Sequence, residues 1–255
     1  MTRALMLSVG FLIGAAAIPA FAADQAVTVV AAAPSGWNGI YAGLQVGYLW
    51  GAGDTTLTPL PSPLALNLGG VGVKPNPTGA FGGGQIGFNH QNGTHVWGIE
   101  ADIAGADIDG TGLRSPLRNP NGGVLAGSFF QSSEDIDWLG TVRLRAGLSG
   151  KSGLWMYATG GVAFARVNYA ADTAVLATHF PAATSATKTG WTAGFGGEWA
   201  FRPHWSMKLE YLYYDLGSES VTANPVTPLA SDQVAYTWNT HGSIVRFGLN
   251  WKFGP

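Results

Sequence analysis

The sequence predicts an all-β protein, an eight-stranded antiparallel up-and-down transmembrane β-barrel. Three observations predict it: segments in which apolar residues alternate with small or polar ones, connections that are long and short in strict turn, and charges in the strand centres that share one face. Alternation with period 2 is typical of β-strands. Connections that alternate in length are typical of membrane barrels, whose short turns lie on one side and longer loops on the other.

The composition of the 255 residues restricts the class of protein. Charged residues make up 11% of the chain and glycine contributes 38 residues, against averages of about 25% charged and about 7% glycine in soluble domains. The 46% of apolar residues argue against disorder. The absence of cysteine excludes a disulfide framework and a cysteine zinc site. A net charge of −2 gives no electrostatic basis for binding nucleic acid.

The N-terminal residues have the pattern of a secretory signal peptide. Arg3 supplies the positive charge, an apolar run extends from Ala4 to Ile18, and Ala20-Phe21-Ala22 is an A-x-A cleavage site. The alternative is an uncleaved N-terminal anchor, although the run is short for a bilayer-spanning helix, which needs about 20 residues. We therefore expect a signal peptide at 1–22, an N-terminal tether at 23–36 and the barrel at 37–255, in an exported protein.

The first strand illustrates the alternation that all eight segments share. In residues 37–50 the even positions from Ile40 to Trp50 are apolar, and the odd positions include Gly39, Gly43, Gln45 and Gly47. The predicted strands are 37–50, 79–90, 95–108, 134–148, 154–168, 189–201, 205–216 and 240–253. Long loops are expected at 51–78, 109–133, 169–188 and 217–239, with an extra hairpin at 64–73 inside the first of them.

The charged residues near the strand centres lie on the face opposite to the apolar one. Lys or Arg on the lipid face at the bilayer midplane costs about 2–4 kcal/mol, whereas charges inside a closed barrel can pair with one another. We therefore expect a charge network inside the barrel, made of Glu100, Asp102, Arg143, Arg145, Glu198, Lys208, Glu210 and Arg246. The alternative is a soluble barrel or sandwich with the two faces exchanged.

Tryptophan residues support the membrane interpretation because they form two bands one strand length apart. Trp50, Trp138 and Trp191 precede or follow long loops. Near the short turns or the C-terminus lie Trp97, Trp199, Trp205, Trp251 and Phe253.

Two short motifs suggest chemistry without supporting it. Residues 82–87 fit G-x-G-x-x-G, but a proline-rich loop precedes them and a strand follows, where a dinucleotide site needs a helix. His241 and Ser243, with Asp215 near the same end of the neighbouring strand, have the residue types of a hydrolytic triad. The remaining histidines show no metal-ligand spacing. We expect no metal and no cofactor.

Several segments, in order and at strand spacing, resemble the small outer-membrane β-barrel proteins of alphaproteobacteria. These are the Brucella- and Rhizobium-type surface antigens, also called porin-family or opacity-like proteins and related in fold to the OmpA and OmpX barrels. The resemblance covers nearly all of residues 37–253. The segments are WNGIYAGLQVGYLWG, FGGGQIGFNHQ, DWLGTVRLRAGL, WMYATGGVAFARV, GWTAGFGGEWAFRPHWSMKLEYLYYDLG and VRFGLNWKF.

The resemblance implies a monomeric surface-exposed barrel in the outer membrane with a structural, envelope-integrity or adhesion-type role and no catalytic activity. It also implies contacts with lipid, lipopolysaccharide and the barrel-assembly machinery, and with host or surface ligands through the long loops. Alternatives are a narrow porin-like channel, a haemin- or ligand-binding surface protein, and a lipid A deacylase that uses His241 and Ser243.

The C-terminus carries the residues of the family's insertion signal, with one departure. The signal residues are Phe247, Leu249, Trp251 and Phe253. The family's signal ends on the aromatic residue, whereas here Gly254 and Pro255 follow. We also expect no peptidoglycan-binding domain of the kind that follows the barrel in OmpA.

Overall fold

The computed structural model describes residues 36–60, 71–119, 121–175, 178–226 and 233–254. The predicted signal peptide and residues 23–35 of the predicted tether lie outside these ranges. The described residues form eleven strands and no helix. They are β1 (Gly39–Gly51), β2 (Asp54–Leu60), β3 (Val71–Val73), β4 (Thr78–Asn92), β5 (His95–Thr111), β6 (Ser115–Arg118), β7 (Val124–Ser149), β8 (Leu154–Val175), β9 (Thr178–Arg202), β10 (Trp205–Ala223) and β11 (Gln233–Lys252).

Eight long strands close into an antiparallel ring in the order β1-β4-β5-β7-β8-β9-β10-β11, and β11 pairs with β1. The closing register runs from Tyr41 opposite Lys252 to Gly51 opposite Gly242. Short turns join β4 to β5, β7 to β8 and β9 to β10, at the positions that the sequence predicts. In the first of these turns Gly93 has φ of +62°, a conformation suited to glycine in an Asn-Gly turn. The predicted barrel of eight strands is confirmed.

Much of the sequence that we predicted as long loops is strand, so those boundaries were wrong. β7 begins at Val124, β9 begins at Thr178 and β11 begins at Gln233. β8 continues to Val175, and β10 continues to Ala223. In the first loop, β2 pairs with β11 and β3 pairs with β2. Of the predicted hairpin at 64–73, residues 71–73 form β3 and 64–70 lie outside the described residues. The barrel wall therefore continues beyond the predicted strands as an extracellular extension.

A reversal of the burial pattern explains why the extension was missed. In the first part of β8 the outward side chains are apolar, and in the second part the inward ones are mostly apolar while several outward ones are polar. A strand that faces water needs the opposite pattern from one that faces lipid, so a search for an apolar outer face stops at the interface. Outward residues of the first part include Leu154, Met156 and Val162, and those of the second part include Arg166, Asn168 and Asp172.

Bulges mark the height at which this reversal occurs. The ladders are irregular between Gly105 and Ile108, between Ile136 and Trp138, and between Asp215 and Ser218. We call the band next to the long loops, Trp50, Trp138 and Trp191, the outer tryptophan band. Gly105 lies opposite Trp138, and Asp215 lies opposite Trp191. One extra residue changes whether the odd-numbered or the even-numbered residues face inward. β7 therefore buries Arg143 on the side of the bulge nearer the short turn and Glu134 on the extracellular side.

Side chains fill the interior along its length. Below the outer tryptophan band the buried residues are mainly charged and polar, and above it mainly apolar. The predicted band residues Trp50, Trp97, Trp191, Trp199 and Trp251 are exposed on the outer surface. Within the described ranges, no helix is long and apolar enough to cross a membrane.

Candidate functional site: the barrel interior and the extracellular rim

The eight charged residues of the predicted charge network all lie inside the barrel, where none is more than 8% exposed. They come from β5, β7, β9, β10 and β11, each at an inward position of its strand. The structure brings all eight together in one set of ion pairs, formed by Glu100, Asp102, Arg143, Arg145, Glu198, Lys208, Glu210 and Arg246.

Glu100 is the centre of the charge network, because all four cations reach it. Lys208 Nζ lies 2.6 Å from both carboxylate oxygens. Arg145 Nη1 lies 3.1 Å from Oε2 and Arg246 Nη2 lies 3.2 Å from Oε1. Arg143 also donates to Oε1. A carboxylate of β5 held by four cations from three other strands, β7, β10 and β11, links strands on different sides of the barrel.

The three remaining acids each join at least one of the same cations. Arg246 donates to Glu210 at 2.6 Å and to Asp102 at 2.9 Å. Arg145 Nη1 lies 3.1 Å from Glu198. Four acids and four bases balance the formal charge, so each buried ion has a counter-ion, which a buried charge needs in order to be tolerated.

Neutral polar residues complete the charge network, and the sequence analysis missed them because it considered formal charges alone. Tyr41 donates to Glu100 Oε2 at 2.6 Å and Tyr157 donates to Glu210 Oε1 at 2.8 Å. Thr141 donates to Asp102 at 2.5 Å, and Asn250 donates to Glu198 at 2.8 Å. The signal for them was present, since Tyr41 has the inward parity of β1.

A cluster of tilted aromatic rings, Trp37, Trp155 and Tyr157, covers the interior at the end of the short turns. The rings of Trp37 and Trp155 lie 5.4 Å apart, and those of Trp155 and Tyr157 lie 4.5 Å apart. The Arg145 guanidinium lies 4.5 Å from the Trp155 ring, a cation–π contact. The Trp37 indole N–H donates to Ser149 Oγ at 2.8 Å. These contacts cover the charge network from that side.

On the other side of the charge network the interior is filled by a cluster of buried apolar residues, which we call the apolar plug. It begins in the membrane-spanning ring and continues into the extracellular extension. Members include Leu49, Leu57, Phe81, Ile108, Phe130, Ile136, Leu139, Val167, Tyr169, Leu212, Tyr236, Trp238 and Ile244. Polar atoms inside it are paired in several places: the Trp238 indole donates to Ser132 at 2.7 Å, and Tyr236 Oη donates to the Phe180 carbonyl at 2.6 Å.

Glu134 is a carboxylic acid buried in the apolar plug. It is 1% exposed and its Oε2 has no partner among the described residues. It lies four residues beyond Trp138, on the extracellular side of the outer tryptophan band. Burial raises the pKa of the Glu134 carboxyl to about 7, an effect opposed by a hydrogen bond with Thr240 and reinforced by Asp135. The raised pKa identifies a group that is held neutral at mildly acidic pH.

Of the possible triad of His241, Ser243 and Asp215, the structure places Asp215 opposite His241 across the β10–β11 pair but gives Ser243 and Asp215 other hydrogen-bond partners. Ser243 Oγ lies 2.8 Å from Tyr211 Oη, across the β10–β11 pair. An Asp215 oxygen accepts the Gly217 N–H at 2.8 Å. The nucleophile and the acid are therefore each hydrogen-bonded to a group outside the triad. Among the described residues, no three His, Asp or Glu side chains are grouped as metal ligands would be.

Three of the predicted insertion-signal residues lie on the outer surface of β11, and Phe253 directly follows its last residue, Lys252. Phe247, Leu249 and Trp251 are paired with Val46, Leu44 and Ala42 of β1 at the closure of the barrel. The Phe253 N–H donates to the Ile40 carbonyl at 2.8 Å. After it, Gly254 has φ of +91°, a conformation that favours glycine.

Comparison with known proteins agrees with this architecture. A 31 kDa outer-membrane immunogenic protein of Brucella melitensis is 32% identical over 219 residues, which cover 85% of this chain and 84% of the relative. The protein of the same description from Brucella suis matches equally well. The crystal structure of the outer membrane protein OprG from Pseudomonas aeruginosa matches with a TM-score of 0.50 at 12% identity, covering 87% of this chain and 100% of that one, which shows the shared fold.

The family described as "Outer membrane protein beta-barrel domain" matches residues 12–253. That match takes in every one of the eight strands that form the ring. The apolar outer face of the ring and the two tryptophan bands are therefore surrounded by outer-membrane lipid. The chain belongs to this family of outer-membrane β-barrel proteins, and its location is the outer membrane.

Proposed function

We propose that this protein is a structural surface barrel that maintains the cell envelope and makes adhesion-type contacts through its extracellular extension. The observation that carries the proposal is the filled interior. From the aromatic cluster of Trp37 through the charge network to the apolar plug, the interior is occupied by buried side chains. An eight-stranded barrel is just wide enough for its side chains to fill.

The extension is the part of the molecule suited to contacts outside the membrane. Its strands are paired, with β8 and β9 in register from the barrel to Val175 opposite Thr178. Ordered strands lose less conformational entropy on binding than free loops do. The proposal includes the lipopolysaccharide around the barrel and host or surface molecules as partners, the assembly machinery for insertion through β11, and a monomeric state.

Two of the three alternatives, the narrow channel and the lipid A deacylase, have less support. A narrow channel needs a continuous water path, and the charge network is paired with itself rather than lining one. A lipid A deacylase needs Ser243 beside His241, and Ser243 is hydrogen-bonded to Tyr211. The proposal therefore assigns no catalytic step to this chain.

Planar-bilayer recording of the purified protein tests the proposal. We expect no stable conductance steps in molar KCl, because neither the charge network nor the apolar plug leaves a path for hydrated ions. A porin in the same bilayers serves as the positive control. Stable, ion-selective steps from folded protein, verified by its different gel migration before and after boiling, would contradict the sealed interior.

A further inference from the structure

An open groove lies on the extracellular rim, between the segment that follows β3 and the segment that joins β5 to β6. Its volume is about 590 Å³, within the range of about 300–1,000 Å³ typical of ligand sites. Two cations, Lys74 and Arg114, line it together with Thr111, Ser115 and Pro116. Leu113, also in the lining, is 89% exposed. The groove thus offers positive charge, hydroxyl groups and small apolar surfaces.

The two cations lack the carboxylate partner that Arg166 and Lys188 of the extension have. Arg166 pairs with Asp137 and Lys188 pairs with Glu219. Over the described ranges, neither Lys74 nor Arg114 appears in an ion pair within 4 Å. Two cations without an ion-pair partner on one groove attract an anion.

The Arg114 guanidinium is held in place by an aromatic ring. Its Cζ lies 3.7 Å from the centroid of the Phe129 ring. When the face of a guanidinium packs on a ring, the N–H donors in the plane of the guanidinium stay free. These donors match the paired oxygens of a carboxylate or sulfate. Because the side chain is already ordered, less entropy is lost when it binds a ligand.

The wall that carries Lys74 is also rigid. Residues 75–77 are Pro-Asn-Pro, and Asn76 has φ of +45°, in the left-handed region. This segment packs directly on the end of β5, where a Cβ on Gly110 would come within 2.5 Å of Pro77 Cα. Pro75 and Pro77 on either side of Asn76, together with the close packing of Pro77 on Gly110, fix the backbone beside Lys74.

The height of the groove restricts the source of the ligand. Ser115, in the groove, lies opposite Phe130 of β7, eight residues beyond Trp138 in the outer tryptophan band. At about 3.3 Å per residue this is about 26 Å along the strand. Lipid headgroups lie near the band, so the groove faces molecules outside the membrane surface.

We infer that this groove binds an anionic polysaccharide, with carboxylate or sulfate groups on Lys74 and Arg114 and sugar rings against Pro75, Pro116 and Leu113. The inference deepens the proposed adhesion-type function and names the class of partner for one part of the extension. A polysaccharide fits because its repeat presents an anionic group beside the apolar face of a ring, as the groove presents cations beside proline and leucine.

Binding of dextran sulfate to the full-length protein in nanodiscs tests the inference, with neutral dextran of equal length as the ligand control. We expect Lys74→Gln and Arg114→Gln each to weaken binding several-fold, and the double variant at least tenfold. Lys188→Gln is the matched control, because Lys188 is an extracellular cation already paired with Glu219. Wild-type binding should fall steeply with added salt.

Three results would overturn the inference: equal binding of neutral dextran, wild-type binding by the double variant, or an equal loss in Lys188→Gln. Gel migration before and after boiling verifies that each variant is folded. Adhesion of intact cells measured in parallel separates the two proposals. If the double variant loses no dextran sulfate binding while the cells still adhere through the extension, the groove assignment fails and the proposed function stands.

Discussion

At the scale of single residues, Glu134 makes the stability of the apolar plug depend on pH. Its carboxyl has a pKa of about 7 in the folded protein, against 4.5 for the ordinary group. Between these values the folded state keeps a proton that the unfolded state has lost. The free energy of unfolding therefore falls by about 3 kcal/mol as the pH rises from about 4.5 to 7. Below and above this pH range the contribution of Glu134 is constant.

Glu134→Gln tests this dependence, because an amide keeps the shape and the hydrogen bonding of the neutral acid. We expect the variant to be more stable than wild type above pH 7 and to lose this part of the pH dependence. Urea midpoints between pH 4 and pH 8, followed by tryptophan fluorescence, measure it. Asp107→Asn is the control, on an exposed carboxylate of the neighbouring strand β5. Parallel wild-type and Glu134→Gln curves would show that the Glu134 carboxyl is not held neutral.

Loss of one cation from the charge network should destabilise the barrel strongly. Arg143 is fully buried and contacts Glu100, Asp102 and Glu210. Arg143→Ala leaves those carboxylates short of a counter-ion, which costs about 3–5 kcal/mol. We expect Arg145→Ala to destabilise the barrel by a similar amount.

Arg166→Ala is the control for these variants, because its pair with Asp137 is 3.7 Å long and the two side chains are 46% and 50% exposed. Exposed pairs contribute about 0–1 kcal/mol. Unfolding midpoints in urea distinguish the cases. If Arg143→Ala and Arg145→Ala unfold at the wild-type midpoint, these arginines are not buried in the folded barrel.

Parity predicts which charged residues face the interior, but not their partners. Arg143 and Arg145 share a face with Glu100 once the apolar faces of β5 and β7 are both placed toward lipid, and the register then places Glu100 opposite Arg143. Tyr157 and Asn250 are neutral, so nothing in a count of charges marks them. Glu134 was predictable only with knowledge of the bulge at Asp137, because the bulge decides that it faces inward.

At the scale of elements, the sequence predicts the eight ring strands well in the membrane and poorly beyond it. The lipid-facing part of each strand has a distinctive pattern because its outer face is apolar. Beyond the outer tryptophan band both faces contain small residues, as in Ala182 and Thr184 on one face of β9 and Ala183 and Ser185 on the other. Pairing with β8 maintains this part of β9 as a strand, and a partner strand is not visible in local sequence.

The last strand allows a prediction about assembly. Phe253 lies outside the described strands, is 53% exposed, and follows the β11 residues that close the ring. We expect Phe253→Ala to lower the folded fraction in the outer membrane several-fold with little effect on the stability of barrels that do fold, because the exposed ring makes few internal contacts. Heat-modifiable migration of the membrane fraction measures the folded fraction.

Leu113→Ala is the matched control, because Leu113 is an exposed apolar residue far from β11. Deletion of Gly254 and Pro255 should not reduce assembly, since the aromatic residue then becomes terminal. An equal loss in Leu113→Ala, or normal assembly of Phe253→Ala, would contradict a role of Phe253 as an insertion signal.

At the scale of the whole molecule, two barriers in series close the interior. The charge network fills the part nearer the short turns, and the apolar plug fills the part nearer the extracellular side. The surroundings of the barrel wall explain both barriers. Where the wall faces lipid, the polar residues point into the interior. Where the wall faces water, the apolar residues point into the interior. The barrel is therefore closed independently at two heights.

This arrangement predicts that weakening the charge network alone will not open a channel. Arg145→Met with Glu198→Gln removes one cation and one anion together, so no single buried charge is created and the barrel should fold. Bilayer recordings should remain free of stable steps, because Leu49, Leu139 and Ile244 of the apolar plug still exclude water above the altered site. Stable ion-selective steps from the folded double variant would show that the charge network is the only barrier and that the apolar plug is open to ions.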